Sequence, residues 1–132
     1  MADPFETPPR LRVLVADDEP HIRRVLSTLL GNSGYLVEEV ADGAQALERW
    51  KTGGSYDAVL LDLMMPGATG LEVLQAIRGG EHGYHTPVII LTAKGQDADR
   101  EAAFAAGADD FITKPFSPKK LVARLHEILH QR

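Results

Sequence analysis

The sequence predicts an α/β domain built on a doubly wound parallel sheet. Three observations carry that prediction. Five short apolar runs, partly β-branched, recur at 11–16, 35–40, 57–61, 87–92 and 110–113. Each is followed by a segment whose apolar residues have helical spacing. Three of the runs, LRVLVA, DAVLL and PVIILT, are apolar nearly throughout, as a parallel strand covered on both faces requires. Right-handed crossovers then place helices on both sides of the sheet.

Taken in order, residues 1–10 (MADPFETPPR) hold three prolines and no periodicity, and read as a loose leader before a domain spanning 11–132. LRVLVA is the first strand, and Ile22, Val25, Leu26, Leu29 and Leu30 form the stripe of the first helix. YLVEEV is the second strand. Asp42 is placed to cap the helix around Ala44–Trp50, with Trp50 as a packing residue. DAVLL is the third strand, followed by a helix around Leu71–Ile77. PVIILT precedes an alanine-rich helix around Ala98–Ala106. DFIT is the fifth strand. Ser117 and Pro118 then open a last helix with the stripe Leu121, Val122, Leu125, Ile128 and Leu129. Gly31, Gly34, Gly53, Gly54, Gly79 and Gly80 stand where helices should end.

Composition narrows the function classes. A chain of 132 residues with 44% hydrophobic and 25% charged residues is one globular domain able to bury a core. A formal net charge of −5 argues against a nucleic-acid surface, which needs clustered Lys and Arg. The absence of cysteine excludes disulfides and thiolate metal sites. No apolar stretch reaches membrane-spanning length, and the expected location is the cytoplasm.

In an open doubly wound sheet, sites form beyond the carboxyl ends of the strands. The chain places Asp17, Asp18 and Glu19 after the first strand, Asp62 at the end of the third, Thr92 at the end of the fourth, and Lys114 with Pro115 after the fifth. Singly, each has a bland explanation: an N-cap, a β-former, a solvated charge. Together they suggest a built site. Clustered carboxylates repel, which raises their pKa values or demands a cation. An all-oxygen set without His or Cys suits Mg²⁺ completed by a phosphate. Asp62 could then be only a metal ligand, or also the nucleophile that accepts a phosphoryl group. Lys114 would balance phosphoryl charge, and Thr92 would hydrogen-bond a phosphoryl oxygen.

The segments VLVADDEP, VLLDLMMPG, VIILTA and ADDFITKPFSPKKLVARL together resemble the receiver domain of two-component response regulators, over about residues 11 to 130. The resemblance implies a five-stranded, flavodoxin-like (βα)5 sheet of order 2-1-3-4-5. It implies that Asp62 is the phosphoacceptor, that Asp17, Asp18, Asp62 and the Met64 backbone carbonyl hold Mg²⁺, and that Thr92, the Ala93 amide and Lys114 contact the phosphoryl group. Lys114-Pro115 is expected to be cis, and Phe111 stands at the aromatic switch position. A sensor histidine kinase or phosphotransfer protein would donate the phosphoryl group. A downstream protein or output domain would read the face formed by the fourth helix, fifth strand and fifth helix. The domain is then a signalling module, catalysing only its own phosphorylation and dephosphorylation.

Some residues depart from the family pattern. In the subfamily that dimerises through that same face, crossed salt bridges are expected. Asp110 and Arg124 keep one, Lys120 opposes Arg100 instead of an acid, and Ala105 with His126 lose a third. A monomer or weak dimer is therefore expected. Thr69 replaces an acidic or amide residue before Gly70, a modest change in helix capping. Lys94 and Met64 flank the expected path of attacking water. His82 and His85 lack a third metal ligand, while His21, His126 and His130 read as helix-surface residues. Two rival classes fit less well. A haloacid dehalogenase-type phosphohydrolase would need an acid where Met64 stands. A flavodoxin-like cofactor carrier would meet the acidic Asp17-Asp18-Glu19 turn. A degenerate, unphosphorylated receiver is disfavoured by the complete acid, hydroxyl and lysine set.

Overall fold

The computed structural model describes residues 10–80, 83–93 and 96–130. The leader up to residue 9, His82 and Lys94 lie outside the described residues. Five strands and five helices alternate: β1 (Arg12–Ala16), α1 (Pro20–Asn32), β2 (Leu36–Val40), α2 (Gly43–Thr52), β3 (Ala58–Asp62), α3 (Gly70–Gly79), β4 (Val88–Thr92), α4 (Asp97–Ala105), β5 (Asp110–Thr113) and α5 (Pro118–His130). The strands form one parallel sheet in the order β2-β1-β3-β4-β5. This is the doubly wound order expected from the resemblance.

Successive strand residues face opposite sides, and the core divides accordingly. Val13, Val15, Leu60, Ile89 and Leu91 pack with Leu26 and Leu30 of α1 and Leu121, Leu125 and Ile128 of α5. Leu14, Ala16, Leu61 and Ile90 pack with Ala46 of α2, Val73, Leu74 and Ile77 of α3, and Ala103 of α4. The three strands read as central are buried almost end to end. Arg12, the one charge in the first of them, sits at its entrance. Its guanidinium pairs with Glu38 at 2.8 Å, donates to the Gly53 and Ser55 carbonyls and lies over the Tyr56 ring. Trp50 stacks on the same ring and packs against the core, as a packing residue should.

The helix signals hold with some shifts. Asp42 accepts from the Gln45 amide at 2.7 Å, and Ser117 from the Lys120 amide at 3.3 Å. Thr69 does more than a modest substitution suggests. It and Glu72 form a reciprocal capping box at the start of α3. Gly31 and Gly79 lie inside the last turns of their helices, while Gly53 and Gly80 are C-caps and Gly34 and Gly54 take positive φ just past helix ends, as their placement in the sequence suggests. Gly107, which ends the α4 segment at φ 105°, escaped the sequence pattern. β3 also runs one residue further than its apolar run, because Asp62 still pairs with Leu91 and the Leu63 amide donates to the Leu91 carbonyl.

Arg78 on α3 is an unanticipated anchor. Its guanidinium donates to the carbonyls of Gly83 (2.7 Å), Thr86 (2.6 Å) and Gly107 (2.7 Å), and to Asp109 Oδ2 (3.1 Å). Asp109 Oδ2 also accepts from the Val88 amide at 2.8 Å, so the network joins α3 to the entrances of β4 and β5. Replacing Arg78 by Ala should lower unfolding free energy by about 2–4 kcal/mol, because a half-buried carboxylate and three carbonyls lose a charged donor. Arg78→Lys should recover less than half, since one ammonium cannot span the fork. Urea denaturation at constant slope measures both, and an unchanged midpoint for Arg78→Ala would refute the anchor.

Candidate functional site

The strand register decides which carboxyl ends meet. Ala16 pairs with Leu61, Asp62 with Leu91, and Thr92 with Thr113. Asp17 therefore leaves β1 beside Asp62, and Lys114 leaves β5 beside Thr92, its amide donating to the Thr92 carbonyl at 2.7 Å. Four strand ends that are far apart in sequence converge on one rim. The Lys114-Pro115 bond is cis.

At that rim Asp17, Asp18, Glu19 and Asp62 each offer an oxygen within 4.8 Å of the others. Asp17 is fully buried and Asp62 nearly so, whereas Asp18 and Glu19 are exposed. The Lys114 ammonium stands among them: 2.8 Å from Asp17 Oδ2, 3.0 Å from Glu19 Oε1 and 3.3 Å from Asp62 Oδ2. The backbone is held from below. Asp17 Oδ1 accepts from the Glu19 amide at 2.9 Å, and Arg23 of α1 donates to the Asp17 carbonyl at 2.6 Å. Asp62 Oδ1 accepts from the Met64 amide at 3.2 Å. Gly70, the first residue of α3, presses on the same strand end. A Cβ there would come within 2.3 Å of the Asp62 carbonyl oxygen, so glycine is required by close approach.

Electrostatics follow from this crowding. Burial is the largest influence on Asp62, and the neighbouring Asp17 charge adds to it, pushing its pKa up to about 6. Lys114 and the Met64 amide pull the other way without cancelling the rise. Burial also works against the Lys114 charge, but the carboxylates of Asp17 and Glu19 against its ammonium, together with the charge of Asp62, outweigh it, so the pKa of Lys114 rises. Lys114 is firmly an ammonium.

The donor set fits Mg²⁺. All four groups are hard oxygens. Asp17 Oδ2, although in ion-pair range of Lys114, has no hydrogen bond in alignment and is fully buried. Such an oxygen is suited to a cation. Met64 is exposed and its amide faces Asp62, so its carbonyl belongs to the same loop. Thr92 is completely buried at the end of β4, and Ala93 is exposed immediately after it. Phe111 is 3% exposed and lies in the core, with the Arg100 guanidinium 5.9 Å from its ring centre. Its inward packing thus exists in this structure. Sequence reasoning placed Glu19 in the acidic turn but gave it no role, and it missed Arg23 and Gly70. His21 lies on α1 beside the site, lining a groove with Ile22 and Pro115, and His85 stacks edgewise on Tyr84 away from any acid cluster.

The raised Asp62 pKa has a consequence for stability. The folded state binds the Asp62 proton more tightly than the unfolded chain, whose aspartate titrates near 3.8. A penalty therefore builds between the two values as pH rises, is complete above about 6 and absent below about 4. In metal-free buffer Asp62→Asn should stabilise the protein by about 1–2 kcal/mol at pH 7.5, less than the full linkage value because the site opens to water. Denaturation at pH 7.5 and pH 4 checks this, and a gain that persists at pH 4 would contradict it.

Comparison with known proteins points the same way. Residues 13–126 match the family model described as the response regulator receiver domain. The transcriptional regulatory protein ResD of Bacillus subtilis is 44% identical over 120 residues, covering 91% of this chain and 48% of ResD. TcrA of Mycobacterium tuberculosis, also a transcriptional regulatory protein, is 44% identical over 118 residues, covering 89% of this chain and 46% of TcrA. The chain thus spans about half the length of these curated relatives. Among solved structures, chemotaxis protein CheY4 of Vibrio cholerae superposes with a TM-score of 0.84 at 32% identity, covering 91% of this chain and 99% of that one. The receiver domain of the sensor histidine kinase PA1611 from Pseudomonas aeruginosa PAO1, solved with a magnesium ion in its active-site cleft, gives 0.83 at 34% identity, covering 92% and 99%. With its sheet order, its acidic rim and these relatives in agreement, the chain belongs to the response regulator receiver domain family of two-component systems.

Proposed function

We propose that this receiver takes a phosphoryl group on Asp62 from a phosphohistidine of a sensor histidine kinase or phosphotransfer protein, and that the modification changes which partner it binds. The observation that carries the reading is the single ammonium of Lys114 bridging Asp62 to two further acids at the sheet rim. An Asp62 oxygen bonds phosphorus as the N–P bond breaks, and the leaving imidazole nitrogen keeps the electron pair and takes a proton. Asp17, Asp18, Asp62 and the Met64 carbonyl would hold Mg²⁺, which when bound supplies positive charge against the repulsion between carboxylates and phosphoryl oxygens. Lys114 offers its ammonium to one phosphoryl oxygen, and the Thr92 hydroxyl and Ala93 amide donate to others. Besides this self-catalysed gain and loss of phosphate, no external substrate is turned over.

An apolar groove of 190 Å³ lined by Ile22, Val25, Pro115 and Phe116 opens beside Lys114. It favours a protein donor over a small one as the natural source. The response is read as a population shift. Thr92 is drawn toward the phosphoryl group, and the Phe111 ring, already inward here, is locked in that position, altering the α4–β5–α5 face. That face is the proposed surface for a downstream protein or output domain. The curated relatives carry the name transcriptional regulatory protein, so a transcriptional output is the favoured one, with DNA contacted by the output and not by this domain. Among the described residues no helix is long and apolar enough to cross a membrane.

Incubation with Mg²⁺ and a small phosphodonor, followed by intact mass, tests the core of the reading. The parent should gain one phosphoryl group and Asp62→Asn none; equal uptake by both would overturn the site. Oligomerisation is a separate expectation. Arg124 pairs within its own chain with Asp110 at 2.9 Å and Glu127 at 3.2 Å, while Lys120 is exposed. The one compatible bridge of a symmetric α4–β5–α5 dimer is thus already satisfied internally. Sedimentation with beryllofluoride should show a monomer or a weak dimer, and a tight dimer through this face would contradict that.

A further inference from the structure

Glu19 stands at the N-cap of α1, yet its side chain caps nothing. Residues chosen for that position are short and bond the first free amides of the helix. Glu19 instead reaches across to the β5–α5 connection and meets Lys114 Nζ at 3.0 Å, closer than Asp62 Oδ2 at 3.3 Å. Its backbone is fixed independently, the amide by Asp17 Oδ1 at 2.9 Å. The three partners of Lys114 also differ in exposure: the side chains of Asp17 and Asp62 are 0% and 6% exposed, that of Glu19 is 53%. Only Glu19 can let go of the ammonium and pass into water without stranding a buried charge.

We propose that Glu19 is a positioning residue, an exchangeable latch that holds Lys114 toward the β1–α1 turn until a phosphoryl group on Asp62 takes its place. The inference rests on Asp62 being the phosphoacceptor. With acetyl phosphate, an Asp62 oxygen bonds phosphorus while the P–O bond to acetate breaks, acetate leaving with the electron pair. The incoming oxygens need the ammonium, and the latch must open for each transfer. Glu19 thereby slows phosphoryl gain.

Two variants separate this from simple charge at the mouth of the site. Glu19→Gln removes both latch and charge. Glu19→Asp keeps the charge, is too short to reach Lys114, and is a better cap. The latch predicts that both take phosphoryl from acetyl phosphate about threefold faster than the parent, the scale of one partly exposed ion pair. Mg²⁺ affinity, measured by titration calorimetry without phosphodonor, should change less than about twofold. Acceleration in Glu19→Gln alone would mean mouth charge and overturn the latch, as would unchanged rates in both. A tenfold loss of Mg²⁺ affinity would make Glu19 a metal ligand and overturn it equally. If the parent itself takes up no phosphoryl group, the phosphoacceptor reading fails and the latch falls with it. Uptake by the parent with unaltered variants removes the latch alone.

Discussion

One ammonium holds this site together. Four acidic side chains converge on the rim of the sheet, two of them buried, and such a group would push apart or neutralise by taking up protons. Lys114 touches three of the four carboxylates. It is supplied by the strand farthest in the sheet from β2, across β4 and β3 from the Asp17 that it approaches most closely. The charge on Lys114 is secured by those acids, while Asp62 is left with a raised pKa because burial and Asp17 outweigh the lysine. A carboxylate kept in this state is poorly satisfied. Arrival of a cation would relieve that state.

Everything that fixes the distances around Lys114 lies below the rim. The β1–β3–β4–β5 register puts Asp17, Asp62, Thr92 and Lys114 at adjoining strand ends. Arg23 ties the Asp17 carbonyl to α1, and Gly70 lets the start of α3 close onto Asp62. The Thr69–Glu72 capping box starts α3 at the residue where that close approach occurs. At the opposite end, Arg78 fastens α3 to the entrances of β4 and β5, so the two strands carrying Thr92 and Lys114 share an anchor with the helix that backs Asp62. The site is buried and hydrogen-bonded at Asp17 and Asp62. It is exposed at Glu19 and Asp18.

The sequence carried much of this openly. Alternation of apolar runs with helical stripes revealed the ten elements, because burial on two faces leaves no room for polar residues in β1, β3 and β4. The Asp42 and Ser117 caps are local hydrogen bonds and leave local signatures, whereas Thr69 looked like a modest change in capping and not like half of a capping box. The acids, the hydroxyl and the lysine were visible because each ends an apolar strand, where a polar residue stands out. Arg78 and Arg23 were not visible. An arginine on a helix looks like solvated charge until the carbonyls it will meet are placed, and those of Gly83, Thr86 and Gly107 belong to loops without periodicity.

What the sequence by itself determined is therefore the alternation, the central strands and the chemical character of the strand ends, since periodicity and hydropathy act over a few residues. The tertiary structure alone decided which ends touch and in what order of distance. It set Lys114 nearer to Asp17 and Glu19 than to Asp62, and it made a lysine partner of Glu19, which the sequence had left without a role. The physical reason is that a charge pair in a crowded rim depends on register and loop path across 52 residues of chain for Asp62 and 95 for Glu19. VLLDLMMPG announces a carboxylate at the end of a buried strand. Only the folded sheet shows what that carboxylate is balanced against.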